Sequence, residues 1–290
     1  MSRTRAAALA LVATLALAAC APEPEPGPQV RLLGDEDGVP VLEYPVPLLD
    51  AQAELEVIWE GTGPVLREGD PVLLDFYSES GTDASVIGET FTSEPRAYRL
   101  TRAELGEDLV DALAGRHVGS RLLQVIPPGP GQPDPVIAVM DLRPTRASGE
   151  PVEVRPGLPV VTLADDGAPQ IEVPGGEPPV DLVVQPLLRG SGPQVGPGQV
   201  VTVQYHGVRW SDGTEFESTW GGDGLPGAFP IGVGSVIAGW DAGLVEQTVG
   251  SQVLLVIPPE LGYGGTAHVL ADETLVFVID ILAASGGPEG

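Results

Sequence analysis

The chain has no lysine: its 14 basic residues are all arginine, against 41 Asp and Glu, for a formal charge of −27. So acidic a surface repels phosphate backbones, which excludes nucleic acid as a partner. The scattered carboxylates read as a solvated face. Without lysine, Gly232-Val233-Gly234 with Gly239 cannot be a nucleotide loop, because no Lys-Ser or Lys-Thr follows. A single cysteine, Cys20, rules out an intramolecular disulfide. The three histidines, His117, His206 and His268, stand far apart without metal-ligand spacing or cysteine partners. Ser218, Ser235 and Ser251 lie outside any G-x-S-x-G elbow, leaving hydrolysis without support. The apolar run from Ala6 to Ala19 is too short for a stable membrane span.

What is present points to sheets. A length of 290 residues with 42% hydrophobic content allows two ordinary domains, and 39 Gly with 31 Pro favour turn-rich strands over long helices. The chain also repeats itself. EGTGPVL at 60–66 is echoed by RGSGPQV at 189–195, PVLLDFY ending at Tyr77 by QVVTVQY ending at Tyr205, and VGSRLLQVIPP from Val118 by VGSQVLLVIPP from Val249. GDEDGVPVLEYPVP after Leu33 returns as ADDGAPQIEVPGG from Ala164, each an Asp-Gly turn between short extended runs. So steady a period means duplication. The boundary is expected within Arg143–Pro159, where Pro, Gly, Ser and Arg crowd together.

Each copy is expected to be α+β, a twisted antiparallel sheet wrapped around one short helix. In the second copy the pattern predicts strands over Asp181–Leu188, Val200–Trp210, Glu215–Glu217, Ser251–Ile257 and Thr274–Leu282, with a helix over Trp240–Gln247. The first copy's helix is expected at Arg102–Ala114.

The stretch FPIGVGSVIAGWDAGLVEQTVGSQVLLVIPPELGYGG, from Phe229 to Gly265, carries an aromatic, a Gly-rich bend, an apolar helix face, a strand stopped by Pro258-Pro259, and a flap with Tyr263. With ETLVFVIDIL, VTVQYHG and GTEFEST, these motifs are similar to an FKBP-type peptidyl-prolyl isomerase domain over roughly Leu182–Leu282. The resemblance implies a pocket of Tyr205, Phe216, Phe229, Val236, Ile237, Trp240, Tyr263 and Phe277, with Trp240 as its floor. It also implies that the Ile237 amide and the Tyr263 hydroxyl bond ligand carbonyls, and that no metal or cofactor is needed. Glu217 stands where the family usually has aspartate, Gly227 replaces a frequent aromatic, and the flap from Tyr263 to Thr274 is short and holds His268. In the first copy, Leu109 takes the floor position and no tyrosine follows Pro127-Pro128. Tyr77 and Phe91 are all that is expected to remain of its pocket.

Arg3 and Arg5 before the apolar run read as a secretory signal over 1–19. Its end, Leu17-Ala18-Ala19-Cys20, resembles a bacterial lipobox, which implies a lipid on Cys20 and APEPEPGPQ as a stiff tether over 20–29. The expected organisation is a degenerate FKBP-like domain over 30–144, a linker over 145–159 and a catalytic domain over 160–285. The expected location is the extracytoplasmic side of the cell membrane. Partners implied are proline-containing polypeptides and macrolide ligands. The alternative function is a non-catalytic, chaperone-like lipoprotein holding proline-containing segments.

Overall fold

A computed structural model describes residues 29–34, 38–221 and 224–287. The signal, the lipidation residue Cys20 and the tether through residue 28 lie outside the described residues. Among the described residues, no helix is long and apolar enough to cross a membrane.

The first half opens with the hairpin β1 (Arg31–Leu33) and β2 (Val41–Glu43). There follow β3 (Glu54–Trp59), β4 (Pro71–Ser80), β5 (Val86–Glu89) and β6 (Arg96–Arg99). Helices α1 (Arg102–Leu105) and α2 (Glu107–Leu113) precede β7 (Arg121–Ile126) and β8 (Val136–Arg143). The second half runs β9 (Glu150–Pro151), hairpin β10 (Val160–Leu163) and β11 (Pro169–Glu172), then β12 (Val183–Arg189) and β13 (Val200–Arg209). It ends with β14 (Glu215–Ser218), β15 (Gly227–Pro230), α3 (Ala238–Leu244), β16 (Gln252–Ile257) and β17 (Leu275–Ser285).

The fold is α+β, with every strand pair antiparallel. The first sheet runs β3-β7-β8-β4-β5 and the second β14-β13-β17-β16-β12, the same topology traced from opposite edges. Beyond topology, the copies share individual bonds. Gly63 N–H donates to Val118 O and Gly192 N–H to Val249 O, both at 3.0 Å; Gly61 N–H reaches Ser120 Oγ at 2.8 Å and Gly190 N–H reaches Ser251 Oγ at 2.9 Å. Gly61 and Gly190 are glycines because an added Cβ would stand 2.2 and 2.1 Å from a carbonyl oxygen of the facing turn.

One sheet face packs on the helix and the other on the N-terminal hairpin. Leu122, Leu142 and Leu113 fill the helix side of the first sheet, while Val30, Ile137 and Val139 fill its hairpin side. In the second, Val203, Leu244 and Ile279 lie on the helix side and Val256 and Val278 on the hairpin side. Strands buried on both faces read as continuous apolar runs, as VLLVI does in β16, and each fully buried aliphatic contributes about 1.5–3 kcal/mol.

Several boundaries differ from expectation. The first copy's helix breaks in two at Gly106, whose φ of 79° cannot continue a helix, and α3 stops at Leu244 because Val245 turns to an extended ψ of 140°, with Glu246 following at φ 69°. Residues 145–159 are bonded along the second sheet: Ala147 N–H donates to Asp280 Oδ2 at 2.8 Å, Ser148 N–H to Gly250 O at 3.1 Å, and β9 pairs with β12.

One buried polar pair differs between the copies. Arg121, 2% exposed, donates from Nε to Asp141 Oδ1 at 2.5 Å and from Nη2 to Oδ2 at 2.6 Å, with its guanidinium 4.4 Å from the Trp59 ring. The matching register in the second sheet holds Gln252 and Asp280 at 2.8 Å. Removing one partner of a buried ion pair strands the other charge, so Arg121→Leu should cost roughly 3–5 kcal/mol. Urea unfolding should show that loss, with the Arg121→Leu/Asp141→Leu double variant recovering a large part of it.

Candidate functional site

The aromatic cluster begins with how α3 sits. Gly239 and Gly243 share the helix face turned to β16, where an added Cβ would stand 2.5 Å from Ile257 and 2.7 Å from Leu255. The helix therefore lies almost on the strand and sinks the neighbouring Trp240 to 5% exposure. Asp241 holds the preceding bend, accepting from Gly232 and Gly234 N–H at 2.7 Å each.

Around the indole stand three rings, all nearly perpendicular to it. Tyr205 is 5.0 Å away by centroid, Phe229 5.4 Å and Phe277 5.3 Å. Edge-to-face packing of this kind matches ring quadrupoles and adds about 0.5–1.5 kcal/mol per pair. Phe216 continues the wall, 5.3 Å from Phe277. Half-buried Val236, Ile237 and Tyr263 pack on the same cluster. The wall depends on Gly207, where a Cβ would stand 2.8 Å from Phe277 and 2.9 Å from Phe216.

Polar groups are few. The Tyr205 hydroxyl donates to Glu217 Oε1 at 2.8 Å, so the longer carboxylate still reaches it. Burial, then Glu217, pushes the Tyr205 phenol well above its usual range; burial and then Glu217 raise Tyr263 as well. Tyr263 stacks on His268 at 4.0 Å. Among the described residues, neither the Tyr263 hydroxyl nor the Ile237 N–H donates to a protein acceptor.

Of the nine residues expected at the site, Tyr205, Phe216, Phe229, Val236, Ile237, Trp240, Tyr263 and Phe277 thus pack in one cluster, and Glu217 joins them through its bond to Tyr205. A cavity of 1130 Å³ opens elsewhere, between the two halves and lined in part by Trp59 and Trp220. Sequence reading missed Gly207, Gly239, Gly243 and Asp241; the i, i+4 glycine pair was the available signal. At Gly227 a Cβ would stand 2.8 Å from Phe229, so that ring occupies the room an aromatic at 227 would need.

The model for FKBP-type peptidyl-prolyl cis-trans isomerases matches residues 192–282. An FK506-binding protein of Streptomyces anulatus is 43% identical over 119 residues, covering 40% of this chain and 95% of that protein. The chain belongs to the FKBP-type family. A probable FK506-binding protein of Corynebacterium glutamicum is 43% identical over 118 residues, covering 40% of this chain and 98% of that one. The crystal structure of FkpA from Escherichia coli aligns at 32% identity over 46% of this chain and 54% of that chain, with a TM-score of 0.34. Membership makes the protein a peptidyl-prolyl cis-trans isomerase, and the matched residues contain every ring of the cluster.

The first FKBP-like unit needs a correction. Phe76, not Tyr77, is the counterpart of Tyr205: Thr90 Oγ1 accepts from Phe76 N–H at 2.9 Å as Thr219 Oγ1 accepts from Tyr205 N–H at 2.8 Å. A one-residue slip turns a strand side chain to the other face. Tyr77 accordingly points toward the hairpin side and donates to Glu79 Oε2 at 2.7 Å, while Phe91 lies 5.5 Å from the Arg121 guanidinium. The helix face carries Phe76, Tyr98 and Leu109, with the Arg96 guanidinium 5.7 Å over the Phe76 ring.

Two outcomes test the geometry. Gly207→Ala should destabilise the protein by about 1–3 kcal/mol in urea unfolding, because the new methyl must displace a ring. Raised tyrosine values keep both hydroxyls protonated in alkali, so kcat/KM should stay level from about pH 7 to about 9.5; a loss near the ordinary phenol value of about 10 or below would contradict the burial.

Proposed function

We propose that isomerisation takes place in the aromatic bowl of the second FKBP-like domain, by removing water from the imide before proline. The barrier to rotation, ~18–20 kcal/mol, is amide resonance. The planar, charge-separated imide loses more from dehydration than the twisted one, so an apolar bowl lowers the barrier. A gain of about 5 kcal/mol would speed rotation by roughly a thousandfold to ten-thousandfold. The observation that carries this reading is the pairing of a sunken Trp240 with two unclaimed donors among the described residues, the Ile237 N–H and the Tyr263 hydroxyl, both on half-buried residues packed against the same cluster. They suit the carbonyls flanking a prolyl ring seated on the indole. The same bowl is the proposed site for a macrolide such as FK506.

The first FKBP-like domain is proposed to be non-catalytic, because Leu109 replaces the indole and Arg96 covers Phe76. Clients are proposed to be secreted or cell-surface proteins, reached by a chain anchored through a lipid on Cys20 outside the cytoplasmic membrane. Mass spectrometry of the membrane fraction checks that anchor, a mature N-terminus at Cys20 carrying acyl mass being the expected result.

Trp240→Leu, which gives the second copy the first copy's floor, should lower kcat/KM on a prolyl tetrapeptide at least about tenfold. Leu109→Ala should leave the rate of the full chain unchanged. Equal losses from the two substitutions would overturn the assignment of catalysis to the second domain.

A further inference from the structure

Resting on that reading, we propose that Glu217 makes the site selective for clients carrying Arg or Lys within one or two residues of the proline. Tyr205 occupies only Oε1 of this carboxylate, and Oε2 has no protein partner among the described residues. Glu217 is exposed, so the second oxygen faces solvent at the bowl's edge. Tyr205, which holds this carboxylate, and Tyr263 of the flap pack on the same aromatic cluster, and the Glu217 charge helps raise the Tyr263 phenol.

Among the described residues, Glu217 forms no salt bridge. Residues 192–282 contain one arginine, Arg209, against ten Asp and Glu. Arg209 acts on Asp212, at the turn between β13 and β14. A chain segment entering the bowl therefore meets a domain with an excess of negative charge, and Glu217, bonded to Tyr205, brings one carboxylate to the bowl itself. An aspartate here would hold its carboxylate one methylene closer to the strand backbone; glutamate carries it farther out while still accepting from Tyr205. Attraction of a basic residue and repulsion of an acidic one act together, so Arg and Glu peptides should differ roughly fivefold at low salt.

The test uses the full chain and three peptides differing only before proline: Arg, Gln or Glu. Both kcat/KM and peptide Kd are measured in about 20 mM and about 500 mM salt, the higher concentration shortening the screening length to several ångströms. Glu217→Gln is the comparison, because its carbonyl oxygen can still accept the Tyr205 hydroxyl. The expected result is a preference for Arg over Glu of about fivefold that shrinks in salt and disappears in Glu217→Gln. An equal response to all three peptides, or a preference that survives in Glu217→Gln, overturns the proposal. Turnover without charge preference would sink this inference and leave the isomerase reading standing. Charge-selective affinity without turnover would do the reverse.

Discussion

The close seating of α3 on β16 governs the site. Gly239 and Gly243 leave no side chain between helix and strand, so Ile257 and Leu255 press against bare backbone. A side chain at either position would lift the helix, and the indole of Trp240 rides on it. Depth matters because a ring flush with the surface stays hydrated, whereas one walled by Tyr205, Phe229 and Phe277 offers an incoming imide a dry contact. Gly207 performs a similar service on the opposite wall, where the sheet itself must make room for two rings.

The two copies show how little of the scaffold such a site requires. Strand order, hairpin cover and the bonds of the glycine turns are common to both. On the helix face they differ in a few side chains: Leu109 where the other has Trp240, and an arginine lying over Phe76. Stability and chemistry have diverged on different faces. The first copy has a buried Arg121–Asp141 pair behind its sheet, while the second has Gln252 beside Asp280 and binds the inter-domain segment through Ala147. Burial raises the Asp280 carboxyl above its usual range, against the lowering effect of its Ala147 and Gln252 donors.

Much of this was legible in the residues. All five strands expected in the second copy form, because their apolar runs and flanking Pro and Gly leave few alternatives. The aromatic positions came through motifs, not periodicity. The misses have physical causes. Pairing Tyr77 with Tyr205 follows residue identity, whereas the Thr90 and Thr219 bonds set the register at Phe76, and identity cannot see a register. The short strand Gly227–Pro230 is held by its neighbour β13 and not by its own propensity. The break at Gly106 was hidden because glycine within an apolar pattern is often tolerated.

The central claim is that a proline ring meets the indole of Trp240 and rotates there. Exchange NMR on a prolyl peptide with a catalytic amount of the full chain, joined to intermolecular Overhauser contacts, tests it most directly. Cis–trans exchange faster than in free peptide, with contacts from the proline ring to the Trp240 indole and the Tyr263 ring, is the predicted result. Contacts that fall instead between the two halves, at Trp59 and Trp220, with exchange no faster than in free peptide, would contradict it.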